Sequence, residues 1–519
     1  MRFPRMWREM FRRNASRVAV LALAAVPVAG CSTLDGLVDP TVAAAALPDS
    51  PAAQPDGTPD WVEPAPDALP NADWVAAFGD AQLTALVEQA MLANPGLARS
   101  EALFDAALAR RRISRADLYP TLGASSSARR SEGGTGFFAG SSTYDIGLNA
   151  SWEVDLFGRV ADGVSAATAS AEASAADLAG LRASIAGQVS NLWIDAIEAQ
   201  RLVALSEREI AAQNRVLRLT ERRFAAGVVG GSDVRLARSA LASAEALAVL
   251  RRQNAKTVVR QLETLIASYP AADLAVPETL PRLTPLEGAG GPSWVLRRRP
   301  DILAAERRIV EAGFNVDVAR KALFPSLSLS AGVADQFATP DNLPGGIENI
   351  FDLSSLAYNY AAQLTAPIFQ GGRIRANIDA SEAQLRSQLA TYADAVLTAY
   401  REVENALDAE GLLAEREAAL RIALEEARGA EERLERRYIE GLATILQLLD
   451  AQTRSLNAEG QLIGAQAERL NNRVRLHVAL GGGRWGDVIA LPAPQPALTL
   501  PLIGDVAAPD FKAGEADNG

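Results

Sequence analysis

Trp152-Glu153-Val154-Asp155-Leu156-Phe157-Gly158-Arg159 and Pro367-Ile368-Phe369-Gln370-Gly371-Gly372-Arg373 are the stretches that decide the fold. At each of them one periodicity gives way to another. Before the first, Tyr144, Ile146, Leu148, Ala150, Trp152 and Val154 alternate with small polar residues. Before the second, Tyr358, Tyr360, Ala362, Leu364, Ala366 and Ile368 do the same. A period of two with one apolar face predicts a strand. After each stretch the chain turns helical. Ile374, Leu385, Val396 and Leu407 recur every eleven residues, a spacing of about 3.67 per turn that departs from a tight left-handed coiled coil. No Pro interrupts Arg373 to Glu440; such a helix is a rod of roughly 100 Å. Val160 to Ala226 is comparable.

Each strand has a partner upstream. Leu122, Ala124, Ser126 and Ala128 alternate before a loop holding Gly133, Gly134 and Gly136; Leu327, Leu329, Ala331 and Val333 alternate before a longer Gly/Pro-rich loop. Two hairpins follow, with strands of about ten residues, enough to cross a bilayer at a tilt. A soluble sandwich edge would show the same short pattern.

The two hairpins belong to one unit written twice. Asn94-Pro95 and Arg299-Pro300 lie 205 residues apart, as do Tyr119-Pro120 and Phe324-Pro325. Gly158-Arg159 and Gly372-Arg373 lie 214 apart, as do Glu221-Arg222-Arg223-Phe224-x-x-Gly227 and Glu435-Arg436-Arg437-Tyr438-x-x-Gly441. The register shifts once, by nine residues, which marks a loop insertion.

Composition narrows the function. The chain has 519 residues and a formal charge of −12, with no basic stripe of the kind a phosphate backbone demands, so nucleic acid is excluded as a partner. One His and one Cys rule out His/Cys metal clusters and disulfide frameworks. No phosphate-cradling, zinc-protease or nucleophile-elbow motif occurs, so neither an enzyme nor a cofactor is expected. His477, near a helix end, reads as structural.

The N-terminus gives an address. Arg2, Arg5, Arg8, Arg12, Arg13 and Arg17 precede a short apolar run, Val18 to Gly30, which has the length of a signal segment rather than a membrane span. It ends Val28-Ala29-Gly30-Cys31, which resembles the lipobox of bacterial lipoproteins; Cys31 is then the acylated residue. Ser32 after it implies passage to the outer membrane. Loss of the leader takes the formal charge from −12 to about −17.

The expected organisation is a signal peptide at 1–30 and a lipid-anchored Pro-rich tether at 31–72. A first repeat at 73–270 holds a hairpin near 121–156 and long helices near 160–268. A linker at 271–292 carries Pro277, Pro281, Pro285 and Pro292. A second repeat at 293–483 holds a hairpin near 326–368 and helices near 373–480, and a tail follows at 484–519.

Together the lipobox, Arg299-Pro300-Asp301, the two strand-to-helix stretches, Tyr438-x-x-Gly441 with Leu449-Asp450-Ala451-Gln452, and the terminal Ala479-Leu480-Gly481-Gly482-Gly483 are telling. From about 73 to 483 the chain resembles the TolC/OprM-type outer-membrane efflux proteins, in their NodT-like lipoprotein branch. The resemblance implies an α+β, mainly α fold: a homotrimer sharing a transmembrane β-barrel, four strands per chain, and a long periplasmic helical barrel. It implies a passive exit duct for small molecules such as drugs. Its partners would be a periplasmic adaptor, an inner-membrane RND-type transporter and outer-membrane lipid. It also implies a constriction at the periplasmic tip, formed by Asp233, Ser232, Tyr438 and Asp450. Ala443 stands where the family often has a basic residue, so Arg454 or Arg238 would supply the charge. Four strands cannot close a barrel, and open edges in lipid cost several kcal/mol per unpaired group, which independently argues for an oligomer. A non-conducting, coiled-coil structural lipoprotein is the alternative; the duplicated hairpins speak against it.

Overall fold

A computed structural model describes residues 60–62, 68–131, 141–340 and 357–492. The leader, Cys31, most of the tether, the loops at 132–140 and 341–356, and the tail beyond 492 lie outside the described residues.

Two short helices, α1 (Trp74–Ala77) and α2 (Ala81–Ala93), precede the first unit. That unit runs α3 (Pro95–Ala116), β1 (Thr121–Ser131), β2 (Ser141–Val154), α4 (Arg159–Ala225) and α5 (Gly231–Leu265). An extended linker and α6 (Pro292–Arg298) lead to the second unit: α7 (Pro300–Lys321), β3 (Ser326–Pro340), β4 (Ala357–Thr365), α8 (Arg373–Ile439) and α9 (Ile445–Ala479). Among the described residues no helix is long and apolar enough to cross a membrane.

The strand-to-helix stretches show why the chain changes structure there. In the first, Trp152 Nε1 donates to the Leu118 carbonyl at 3.1 Å, and Arg159 pairs with Glu153 at 2.5 Å. The Asp155 carboxylate accepts from the Ala161 amide at 2.8 Å, satisfying an orphan N–H of the first turn of α4. Phe157 stacks on Phe324 of the other repeat at 5.0 Å. Gly158 and Gly372 both take left-handed φ, 74° and 87°, where a Cβ would be strained.

The four strands form one antiparallel sheet in sequence order. Thr121 faces Ser151 and Ser326 faces Thr365, so the hairpins of the two repeats share one register; β2 and β3 join them, Ser151 facing Ser330. Residues directly opposite share a face. One face carries Leu122, Leu148, Trp152, Leu329, Val333, Tyr360 and Leu364, with Asp335 as a buried polar member. The other carries small polar residues: Ser125, Asn149, Ser151, Ser330, Gln363. At about 3.3 Å per residue the 14-residue β2 is ~46 Å long. Tilted near 45° it spans ~33 Å, the thickness of a bilayer core.

The helices are held by small residues. Ala169, Ala171, Ala175, Ala179, Ala186 and Ala196 on α4 are buried, and α4 packs along α3, α5, α7 and α9. The largest core gathers Trp74, Phe78 and Leu83 against Trp193 and Ile197 of α4 and Leu470 and Val474 of α9. Trp193 Nε1 donates to Asp80 at 2.8 Å and Trp74 Nε1 to the Gly482 carbonyl at 3.0 Å, so neither buried indole is left unpaired.

Pro-rich composition predicts little burial for the tether, yet its described residues dock. Trp61 is buried, donates to the Gly290 carbonyl at 2.6 Å and meets Tyr400 edge-on. Its large apolar body outweighs the disorder that the surrounding prolines favour. The start of the tail docks likewise, the Arg484 amide donating to the Ala72 carbonyl at 2.8 Å.

Candidate functional site: the turns between the paired long helices

The repeated Glu-Arg-Arg-(Phe/Tyr)-x-x-Gly landmark is a helix stop. At the end of α4, Val228 N donates to Arg223 O and Gly227 N to Phe224 O; at the end of α8, Leu442 N donates to Arg437 O and Gly441 N to Tyr438 O. This is the Schellman pattern, which consumes the last carbonyls of a helix and needs left-handed φ at the Gly: 72° at Gly227, 84° at Gly441. Each long helix therefore reverses within five residues, and the residues expected at the constriction all flank these two turns.

The structure divides those residues into two groups. Asp233 lies in the first turn of α5, where an acid complements the helix dipole. Gly230 is the N-cap, so Asp233 does not cap; it receives the Ser232 hydroxyl at 3.4 Å. Asp450 and Arg454 form an exposed i,i+4 pair on α9 at 2.8 Å, and that hydrogen bond holds the Arg454 pKa above its ordinary value. Arg238 reaches Glu221 of α4 at 2.8 Å. Ser232, Arg238, Asp450 and Arg454 are exposed and Asp233 is half-buried.

Tyr438 stands apart from them. It is 1% exposed, packed with Val216, Ala237, Ile445 and Leu448. Its hydroxyl lies 2.8 Å from Thr220 Oγ1 of α4, so its partner is a hydroxyl and not a carboxylate. Arg223 donates to the Tyr438 carbonyl and lies over its ring, 4.8 Å from the centroid. The tyrosine ties α8 to α4 beneath the turn.

Sequence reasoning passed over two features. Thr444 caps α9 with a full capping box, its hydroxyl accepting from the Gln447 amide while Gln447 reaches back to the Thr444 amide; Thr-x-x-Gln after the Gly turn is its signal. Arg299 of the Arg-Pro-Asp motif is a structural hub. It is buried and donates to Asp301 at 2.7 Å, Glu402 at 2.7 Å and the Ala479 carbonyl at 2.9 Å. Burial opposes its charge, but the two carboxylates more than compensate and hold its pKa above the usual value.

Further up, burial pushes the carboxyls of Asp195 and Glu198 on α4 above the usual range; Asn471 opposes this at Asp195 from 2.7 Å, while Glu468 adds to it at both. Among the described residues no group of three His, Cys, Asp or Glu could hold a metal ion.

A duplicated sheet with one mostly apolar face, continuing into two helices of ~100 Å that each turn back into a shorter one, is the arrangement of an outer-membrane channel. The chain belongs to the outer membrane efflux protein family, whose model matches it twice, over residues 86–268 and 291–482. It is similar to outer membrane protein OprJ of Pseudomonas aeruginosa, 32% identical over 429 residues that cover 81% of this chain and 88% of OprJ. The toluene efflux pump outer membrane protein TtgI of Pseudomonas putida is 30% identical over 428 residues, 80% of this chain and 88% of TtgI. Among solved structures, the outer-membrane channel OprN superposes with a TM-score of 0.75 at 31% identity, covering 85% of this chain and 98% of that one. VceC from Vibrio cholerae superposes with a TM-score of 0.73 at 25% identity, covering 80% and 100%. The protein is an efflux channel of the outer membrane, and its family is one of channels, not of enzymes.

Proposed function

We propose that three copies of this chain form a passive duct, the outer-membrane exit of a tripartite pump. A periplasmic adaptor and an inner-membrane RND-type transporter would load it with small molecules such as drugs. The observation that carries the reading is the sheet. Its order leaves β1 and β4 as edges, and one face is mostly apolar, with Tyr360 at 80% and Leu122 at 71% exposed. Unpaired edges facing lipid cost several kcal/mol per backbone group; twelve strands from three copies remove every edge. The apolar face then meets lipid and the Ser/Asn/Gln face lines water. The long helices of the two repeats carry the duct through the periplasm, with no catalytic step.

The constriction lies at the two helix turns, where half-buried Asp233 and exposed Asp450 with Ser232, Arg238 and Arg454 face their counterparts across the axis. Tyr438 acts from behind, fixing α8 to α4. Cys31, acylated, adds a lipid anchor, and the 1–30 leader, 31–72 tether and 484–519 tail flank the two repeats. Relatives named for toluene efflux and pyoverdine export make small organic molecules the expected cargo.

The test is export in a Gram-negative strain lacking its own outer-membrane channel. Expressed with its adaptor and transporter, the chain should lower intracellular accumulation of a fluorescent dye. Accumulation as high as in the strain without it, with protein present in the outer membrane, would overturn the reading.

A further inference from the structure

Asp195 and Glu198 lie one turn apart in the middle of α4, half-buried and short of partners. Among the described residues Glu198 makes no hydrogen bond or ion pair, and Asp195 receives only the Asn471 amide of α9 at 2.7 Å. The cations that reach them are engaged elsewhere: Arg201 donates to Gln466 at 2.9 Å, and Arg475 pairs with Glu468 at 2.8 Å. Burial pushes both carboxyls up, and the charges of Asp195 and Glu468 add to this at Glu198.

Two amide oxygens beside these acids also lack donors. Asn471 is 6% exposed; its Nδ2 serves Asp195, and its buried Oδ1 has no partner. Asn191, one turn before Asp195, has a buried Oδ1 without a partner too. Buried acceptors are normally satisfied, so a group of them left open points to a missing donor. Gly464 of α9 makes the room: Glu198 Oε1 lies 3.3 Å from where a Cβ there would sit.

The helical architecture does not demand this arrangement. Adding 214 to the bounds of α4 and α5 gives those of α8 and α9. By that offset the other pair of long helices has Ala409, Leu412 and Asn254 where this pair has Asp195, Glu198 and Glu468, and Leu250 in place of Gly464. The acids occupy one of two equivalent places, as a ligand site does and a packing requirement does not.

The acids also face a definite way. Trp193 and Ile197 point into the core shared with α1 and α2. Asp195, two residues from each, is on the opposite side of the helix. A layer of α1 and α2 inside a ring of helices would fill the bore, so that layer lies outside and Asp195 faces the axis. It does so roughly 45 Å from the turn at Gly227, well away from the constriction.

Resting on the duct proposed above, we infer that Asp195, Glu198 and the Asn471 Oδ1 form a dock on the wall of the bore for the protonated amine of an amphipathic organic cation in transit. An alkylammonium brings three N–H donors and one positive charge, matching three acceptors and relieving two half-buried carboxylates. Leu202, one turn beyond Glu198 and half-buried, offers apolar surface to the rest of the molecule. A divalent metal fits less well: it takes about six oxygens or more, and no group of three metal-binding side chains is present among the described residues.

The dock is tested by fluorescence anisotropy on the purified full-length protein near neutral pH. Dansylcadaverine ends in a primary amine; dansylamide carries the same fluorophore without one. The amine should bind about tenfold or more tightly than dansylamide, the worth of a charge-assisted hydrogen bond. Asp195→Asn with Glu198→Gln should remove that advantage, and Gly464→Ala, which crowds the Glu198 carboxylate without removing a charge, should reduce it. Methylammonium should displace the probe, whereas tetramethylammonium, charged but without an N–H, should not. Equal binding of the two probes, or an advantage that survives in the Asn/Gln double variant, would overturn the dock. Equal displacement by the two ammonium ions would overturn its hydrogen-bonded chemistry. Those results leave the duct standing if the protein still carries current; a protein that binds the amine and carries none would overturn the duct instead.

Discussion

Removing the Thr220–Tyr438 contact from either side should have unequal consequences. Thr220 Oγ1 lies 2.8 Å from the Val216 carbonyl and 2.8 Å from the Tyr438 hydroxyl. A threonine has one hydroxyl hydrogen, and the carbonyl can only accept it, so Tyr438 is the donor in the pair. Tyr438→Phe therefore leaves Thr220 still bonded to Val216 and should cost about 0.5–1.5 kcal/mol. Thr220→Val instead strands a tyrosine hydroxyl that is 1% exposed, at about 1–3 kcal/mol. The double variant, apolar on both sides, should cost less than the sum of the singles. Hydrogen exchange at the amides of Gly227, Val228, Gly441 and Leu442 reads these energies as local opening. The opening equilibrium should rise about two- to twelve-fold for Tyr438→Phe and about five- to 150-fold for Thr220→Val. Equal effects from the two singles, or strict additivity in the double, would refute this assignment of donor and acceptor.

Other perturbations have definite outcomes. Asp233→Ala combined with Asp450→Ala should raise single-channel conductance by removing acids from the constriction; unchanged conductance in a double variant that still trimerises would take both residues out of it. His477, stacked on Trp74 at 5.5 Å, is held neutral by burial and then by Arg473, its pKa lowered to about 3. Below pH 6.5 the unfolded chain takes up a proton that the folded chain refuses, so stability should fall by about 1.4 kcal/mol per pH unit per chain down to about pH 3. Denaturation midpoints of His477→Phe should lack that component of the slope. Cys31→Ser should abolish acylation yet permit assembly, since one anchor is minor beside a closed barrel; mass spectrometry of the wild-type N-terminus without acyl chains would refute the lipid anchor.

The duplication, the hairpins and the long helices were legible because each leaves a periodic trace: alternation in Tyr144–Val154, an eleven-residue repeat from Ile374 to Leu407, and constant offsets between landmarks. The burial of Tyr438 was not legible. Phe224 and Tyr438 occupy equivalent positions in equivalent motifs, yet Phe224 is 51% exposed and Tyr438 is 1% exposed. The difference is whether the neighbouring repeat lies in the same chain, which no local pattern encodes. The Arg299 hub was hidden for a similar reason: Glu402 lies 103 residues downstream, so the ion pair exists only after α7, α8 and α9 have met. Trp61 was masked by its surroundings, since eight prolines between 40 and 70 spoke for an extended chain and one indole decided where it docks.

The central claim, that this chain builds a conducting path, is tested most directly by planar-bilayer recording of the purified full-length protein. Uniform discrete current steps are expected, absent when the protein is unfolded before addition and shifted in size by Asp233→Ala with Asp450→Ala. A trimer that inserts into the bilayer yet carries no current across the accessible voltage range, with the constriction acids removed as well as present, would contradict the account.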